Sequence, residues 1–144
     1  MIAALIDASI VVKWYHDEGE EEVAEARAVL RAVGVGLIEA RILDLTIYEY
    51  GNVLLRRIRR PATEAMTRVE DLLRLCGAPL TLAVEWRRDT AELAERHGLT
   101  YYDAAYAAVA RGLGITLISA DRQLVAAGLA ESATDFVHRL RLPL

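Results

Sequence analysis

Cysteine is nearly absent from this chain: Cys76 is the only one among 144 residues. A lone cysteine excludes an intrachain disulfide, leaves no cysteine cluster for zinc, and suits a reducing cytoplasm, the expected location. Cys76 itself is expected to pack as a small apolar residue in a helix. The three histidines, His16, His97 and His138, are scattered without ligand spacing, so no histidine general base is expected. Three prolines and nine glycines argue against linkers or low-complexity segments, and no internal repeat is present. Only five apolar residues lie between Met1 and Asp7, with no basic lead. That stretch is too short for a signal peptide or a membrane helix, so no membrane partner is expected. Lysine is reduced to Lys13 among 17 basic residues, and the net charge of −4 argues against a broad nucleic-acid surface. The positive charge is nonetheless concentrated at Arg56, Arg57, Arg59 and Arg60.

At 54% hydrophobic, the chain holds enough apolar material for one domain spanning 1–144. Ile2-Ala3-Ala4-Leu5-Ile6 is short and apolar on both faces, as a central parallel strand covered on two sides must be. Asp7 stands at its end, and a helix opens near Ile10. Apolar spacing predicts a second helix over 20–33, whose acidic start suits the helix dipole and which Gly34 and Gly36 end. A second strand is expected at 42–45. Helices follow over 46–59 (closed by Pro61), 62–75 and 84–97, with a short extended piece at 79–82. The alanine-rich segment 100–112 predicts a helix lying close against the sheet. Ile115 to Ser119 reads as another buried strand, 122–128 as a short helix and 135–137 as a last strand. Strands alternating with helices imply an α/β sandwich on a mostly parallel sheet.

In such a fold ligands bind at the carboxyl ends of the strands. Asp7 and Asp121 follow apolar strands directly. Glu49 lies in the first turn of the helix after the second strand, and Asp103 in the first turn of the alanine-rich helix. Fold logic thus brings three of these acids to one rim; the helix bearing Asp103 follows another helix, so strand order alone leaves open whether it is the fourth. Carboxylates crowded together repel and take up protons or splay apart. A divalent cation removes that conflict, and oxygen-only ligands suit Mg²⁺ or Mn²⁺. Two such ions would serve phosphodiester cleavage without a side-chain nucleophile. Each acid also has a local role open to it. Thr46 with Glu49 and Thr100 with Asp103 fit capping boxes, and Asp7, Ser9, Ser119 or Asp121 can cap the helices that follow them.

Taken together, Leu5-Ile6-Asp7-Ala8-Ser9, Tyr48-Glu49-Tyr50-Gly51-Asn52-Val53-Leu54, Leu99-Thr100-Tyr101-Tyr102-Asp103-Ala104 and Leu117-Ile118-Ser119-Ala120-Asp121 resemble the PIN-domain ribonucleases. Within that family they are similar to the VapC-like toxins of toxin–antitoxin pairs. The pieces come in the family's order and spacing and cover nearly the whole chain. The resemblance implies a three-layer α/β/α sandwich and a metal-dependent endoribonuclease using Mg²⁺ or Mn²⁺. It also implies a partner antitoxin and a homodimer. Asp7, Glu49, Asp103 and Asp121 match the acidic quartet, and Ser9, Asn52 and Ser119 the polar residues that accompany it. Two departures are visible. Asp44 stands where many relatives have a proline or small residue, and no further acid follows Asp121, where Gln123 and Leu124 stand. The second departure puts the second metal site in question.

On a straight helix, Asn52, Arg56 and Arg60 fall near the face of Glu49, at offsets of three, seven and eleven. Arg56 then lies ~10 Å along the axis, within reach of further RNA phosphates. Trp14, Tyr15, Tyr101, Tyr102 and Tyr106 are expected in core or dimer packing rather than as platforms for bases. Two rivals stand beside the nuclease. A phosphatase with Asp7 as nucleophile would need an acid two residues on, where Ser9 stands. A non-catalytic module would bind RNA or protein on the same fold.

Overall fold

In the computed structural model, which describes residues 1–144 throughout, the central strand is β1, Ile2–Ile6. Its alternation decides the architecture. Ala4 and Ile6 enter one apolar cluster and Leu5 enters another on the opposite face. Both faces are therefore covered, as a central parallel strand requires. β1 runs parallel to β2, Ile38–Arg41, on one side and to β3, Thr116–Ile118, on the other. The first cluster packs beneath α1, Ala8–Tyr15, α2, Val23–Gly34, α3, Asp44–Asn52, α4, Ala62–Cys76, and α8, Ala133–Leu140. The second lies beneath α5, Val84–His97, α6, Tyr101–Leu113, and α7, Arg122–Ala126. This is the expected three-layer sandwich. No helix is long and apolar enough to cross a membrane.

Three elements differ from expectation. The second strand lies at Ile38–Arg41 rather than at 42–45. Ile38 and Ala40 face the core while Glu39 is exposed, so this edge strand alternates instead of reading as an apolar run. Ile42 and Leu43 instead pair with Leu80 in a single parallel bridge, which accounts for the extended piece expected at 79–82. The segment 135–137 is helical. Ala133, Phe136, Val137 and Leu140 recur at helical spacing, and Ser132 caps the start by accepting from the Asp135 N–H at 3.1 Å.

The third difference positions the site. α3 starts at Asp44, and after Asn52 it passes into a π-helical turn, Val53–Arg57. The Ile58 N–H bonds the Val53 carbonyl at 2.9 Å, an i→i+5 bond. Such a turn holds one extra residue, so every later side chain is displaced by one position around the axis. Asp44 points to solvent, bonding the Leu45 N–H at 2.8 Å. Trp14 and Tyr106 are buried as expected, whereas Tyr15, Tyr101 and Tyr102 are exposed. Cys76 packs at the end of α4, where burial pushes its thiol up to about 12.

Candidate active site

β1 and β3 end side by side, so the residues after each meet. The Asp7 N–H extends the ladder to the Ile118 carbonyl at 3.1 Å. Asp7 occupies the N-cap position of α1 but caps nothing with its side chain. Its Oδ2 instead accepts from the Ser9 hydroxyl at 2.9 Å and from the buried Ser119 hydroxyl. Each serine is itself fixed by a backbone donor, Ser9 by the Ala120 N–H and Ser119 by the Asp121 N–H, both at 3.0 Å. Two hydroxyls thus stitch the first strand's exit to the third's. Asp121 does cap its helix, accepting from the Gln123 N–H at 2.8 Å through Oδ1.

Glu49 is held differently. The expected capping box at Thr46 is not formed, because Thr46 is the third residue of α3 and its hydroxyl accepts from the Leu43 N–H at 3.1 Å. Thr46 also bonds the Tyr106 hydroxyl at 2.9 Å, which donates to Glu49 Oε1 at 2.7 Å. A relay from backbone to carboxylate therefore crosses between α3 and α6. Asp103 sits in the first turn of α6, whose cap is made by Thr100, accepting from the Asp103 N–H at 3.1 Å. The carboxylate itself is not needed for that cap.

Asp7, Glu49, Asp103 and Asp121 all line one open cavity of about 350 Å³, together with Ser9 and Val53. Three of these carboxylates are raised, by burial first and by neighbouring charge after it. Burial raises Asp7 above the usual carboxylate value, with the Asp121 charge adding to it against the lowering by the two serines. Burial also raises Glu49, opposed by Tyr106 and reinforced by Asp7 and Asp103. Asp103 is raised by burial first and then by Asp121 and Asp7. The donor set is purely carboxylate and hydroxyl oxygen, the chemistry a hard divalent cation takes. It is not a closed ligand cage: no three acidic, histidine or cysteine side chains converge as a formed metal-binding group. Asp7, Glu49 and Asp121 are each turned toward their own hydrogen-bond partners.

Other sequence expectations fall elsewhere. Asn52 is exposed and does not line the cavity, and Ser119 lies under a neighbouring one. Arg56 and Arg60 do not line the acidic cavity; they share another one with Leu55 and Arg59, and Arg60 reaches a further one beside His16. Arg57 lines the acidic cavity in their place, with Glu20. The cause is the π turn, whose extra residue moves the side chain facing Glu49 from offset seven to offset eight. Thr46, Tyr106, Glu20 and Lys13 support the site and were not foreseen in these roles. Only the lone lysine carried any signal, since a buried lysine needs a partner.

The chain belongs to the PIN-domain family, whose model matches residues 4–129. Among curated proteins it is similar to Ribonuclease VapC3 of Pyrobaculum aerophilum, 38% identical over 83% of this chain and 90% of that one. It is also similar to Exonuclease VapC9 of the same organism, 35% identical over 59% of this chain and 64% of the relative. Among solved structures it resembles PAE2754 from Pyrobaculum aerophilum, with a TM-score of 0.71 and 28% identity, covering 97% of this chain and 90% of that chain. A toxin–antitoxin complex from Klebsiella pneumoniae shares the fold at a TM-score of 0.66 and 16% identity, covering 90% of this chain and 97% of that one.

Proposed function

We propose that the protein is a Mg²⁺- or Mn²⁺-dependent endoribonuclease and the toxin of a toxin–antitoxin pair. The observation that carries this reading is the acidic cavity: carboxylates from four separate segments line it, and burial first, then neighbouring charge, raises Asp7, Glu49 and Asp103. The curated relatives named VapC and the toxin–antitoxin fold neighbour support it. Asp7, Asp103 and Asp121 would hold the cation, with Glu49 completing the set. When bound, the ion supplies Lewis acidity toward a phosphoryl oxygen and neutralises charge developing there.

The chain's own residues supply the rest. Ser9 and Ser119 occupy one oxygen of Asp7 and leave the other for the cavity. Tyr106 likewise fixes one oxygen of Glu49, so the second can ligate or orient the attacking water. Ser9 is engaged by Asp7 and Ala120, which leaves the phosphatase alternative no second acid.

The test is cleavage of single-stranded RNA with Mg²⁺ or Mn²⁺ and with EDTA. Cleavage only with the metal, abolished in Asp7→Asn at unchanged melting temperature, is the expected result. Full activity in that variant refutes the assignment. Tight RNA binding without metal and no cutting with it would instead establish the non-catalytic binding module. A circular RNA separates the modes, since an endonuclease opens it and an exonuclease cannot. Light scattering of the purified chain tests the homodimer, and co-purification with the product of a neighbouring small gene tests the antitoxin.

A further inference from the structure

The only basic side chain lining the acidic cavity is Arg57, and it also lines a second cavity of about 540 Å³, shared with His16 and Arg60 and with the acids Glu18 and Glu20. Its one partner is Glu20, with Nη2 3.3 Å from Oε2. The two ends of that pair are unequal. The Arg57 side chain is 56% exposed and Glu20 only 12%. Lys13, 6% exposed, locks Glu20 from behind at 3.1 Å and donates to the Glu21 carbonyl at 2.7 Å. If Arg57 swings away, Glu20 keeps a charged partner and no buried ion is orphaned. An exposed ion pair is weak, whereas a guanidinium on a phosphate makes a bidentate, charge-assisted contact.

We propose that Arg57 is the substrate-positioning residue that binds a phosphate flanking the scissile one, with Glu20 as its resting partner. The RNA strand then leaves the acidic cavity past Arg57 toward His16 and Arg60. The inference rests on the nuclease reading but is measurable apart from it. Binding is followed by anisotropy of a short fluorescein-labelled single-stranded RNA with Ca²⁺ in place of Mg²⁺, and cleavage by KM and kcat. Arg57→Ala should raise KM about tenfold, the scale of one lost charged hydrogen-bond contact, with kcat held within about twofold. It should also flatten the plot of log affinity against log salt by roughly 0.7, the share of one phosphate on a single strand. Arg57→Lys should restore the salt slope and only part of the KM. Arg74→Ala, an equal loss of charge on α4, should change neither.

An unchanged salt slope in Arg57→Ala overturns the proposal, even with a lowered melting temperature, because a purely structural role would move the second and not the first. A larger effect from Arg56→Ala also overturns it, since that is what a straight helix demands. A wild-type chain that binds RNA without cutting it refutes the nuclease, while the slope still decides Arg57. A chain that binds no RNA sinks both.

Discussion

The two halves of the acidic cavity are built by different means. On one side, Asp7 and Asp121 leave adjacent parallel strands, and two serines anchored by backbone amides hold them together. Nothing there depends on a long side chain. On the other, Glu49 and Arg57 stand on a helix that changes its winding between them, and each is steadied by a distant residue, Tyr106 or Glu20. The first half follows from strand order. The second depends on one inserted residue and on contacts across 57 and 37 positions of chain. A sheet edge therefore fixes charge, and a wound helix adjusts it.

The comparison breaks first at Asp7. Asp7→Asn should lower the cleavage rate by roughly a thousandfold, the scale set by removing one preorganised charge-stabilising group. Next comes Ser119→Ala, which frees Asp7 to turn. Activity should fall about tenfold to a hundredfold, as loss of a ligand-orienting partner does, and Mn²⁺ affinity should fall in parallel by calorimetry. Tyr106→Phe removes the matching partner on the helical side. A smaller loss there than at Ser119 sustains the contrast between the halves, and a larger one reverses it.

Asp121 separates capping from charge. Asp121→Ala should cost about 1 kcal/mol of stability as a lost N-cap, whereas Asp121→Asn keeps the cap and loses the charge. Equal melting temperatures for Asp121→Asn and wild type, beside a large loss of cleavage, are the expected pair. A drop in melting temperature without a loss of cleavage would return Asp121 to a purely structural role.

The smallest expected effect is on pH dependence. Asp7, Glu49 and Asp103 have folded values raised above their ordinary 3.8, 4.5 and 3.8. Between those ordinary values and the raised ones, the folded chain holds more protons than the unfolded chain. Stability from these groups is thus full at acid pH and falls as pH climbs through the raised values. Without divalent metal, the melting temperature of Asp7→Asn relative to wild type should increase across that window. Metal should abolish the difference by stabilising wild type alone. Cleavage should rise with pH over the same range, because protons compete with the cation.

Much of this was legible in the chain. Asp7 and Asp121 could be placed because two short apolar runs each end in aspartate, and parallel strands share one functional rim. Asp103 was less legible, because its helix follows another helix rather than a strand and the strand-end rule does not fix which end it starts from. The helical fate of 135–137 was missed because the adjacent apolar pair Phe136-Val137 hid a longer period running from Ala133 to Leu140. Arg57 was passed over for Arg56 because a π turn has no reliable mark in residue type. The Tyr106–Glu49 bond joins two helices that only the packed core brings together, and no local pattern encodes it.

The most direct measurement is a calorimetric titration of the purified chain with Mn²⁺ near neutral pH, alongside Asp7→Asn and Asp103→Asn. Saturable binding to wild type that is lost in both variants is the result expected of four carboxylates sharing a cation. Absence of binding to wild type, or binding unaffected by either substitution, would contradict it.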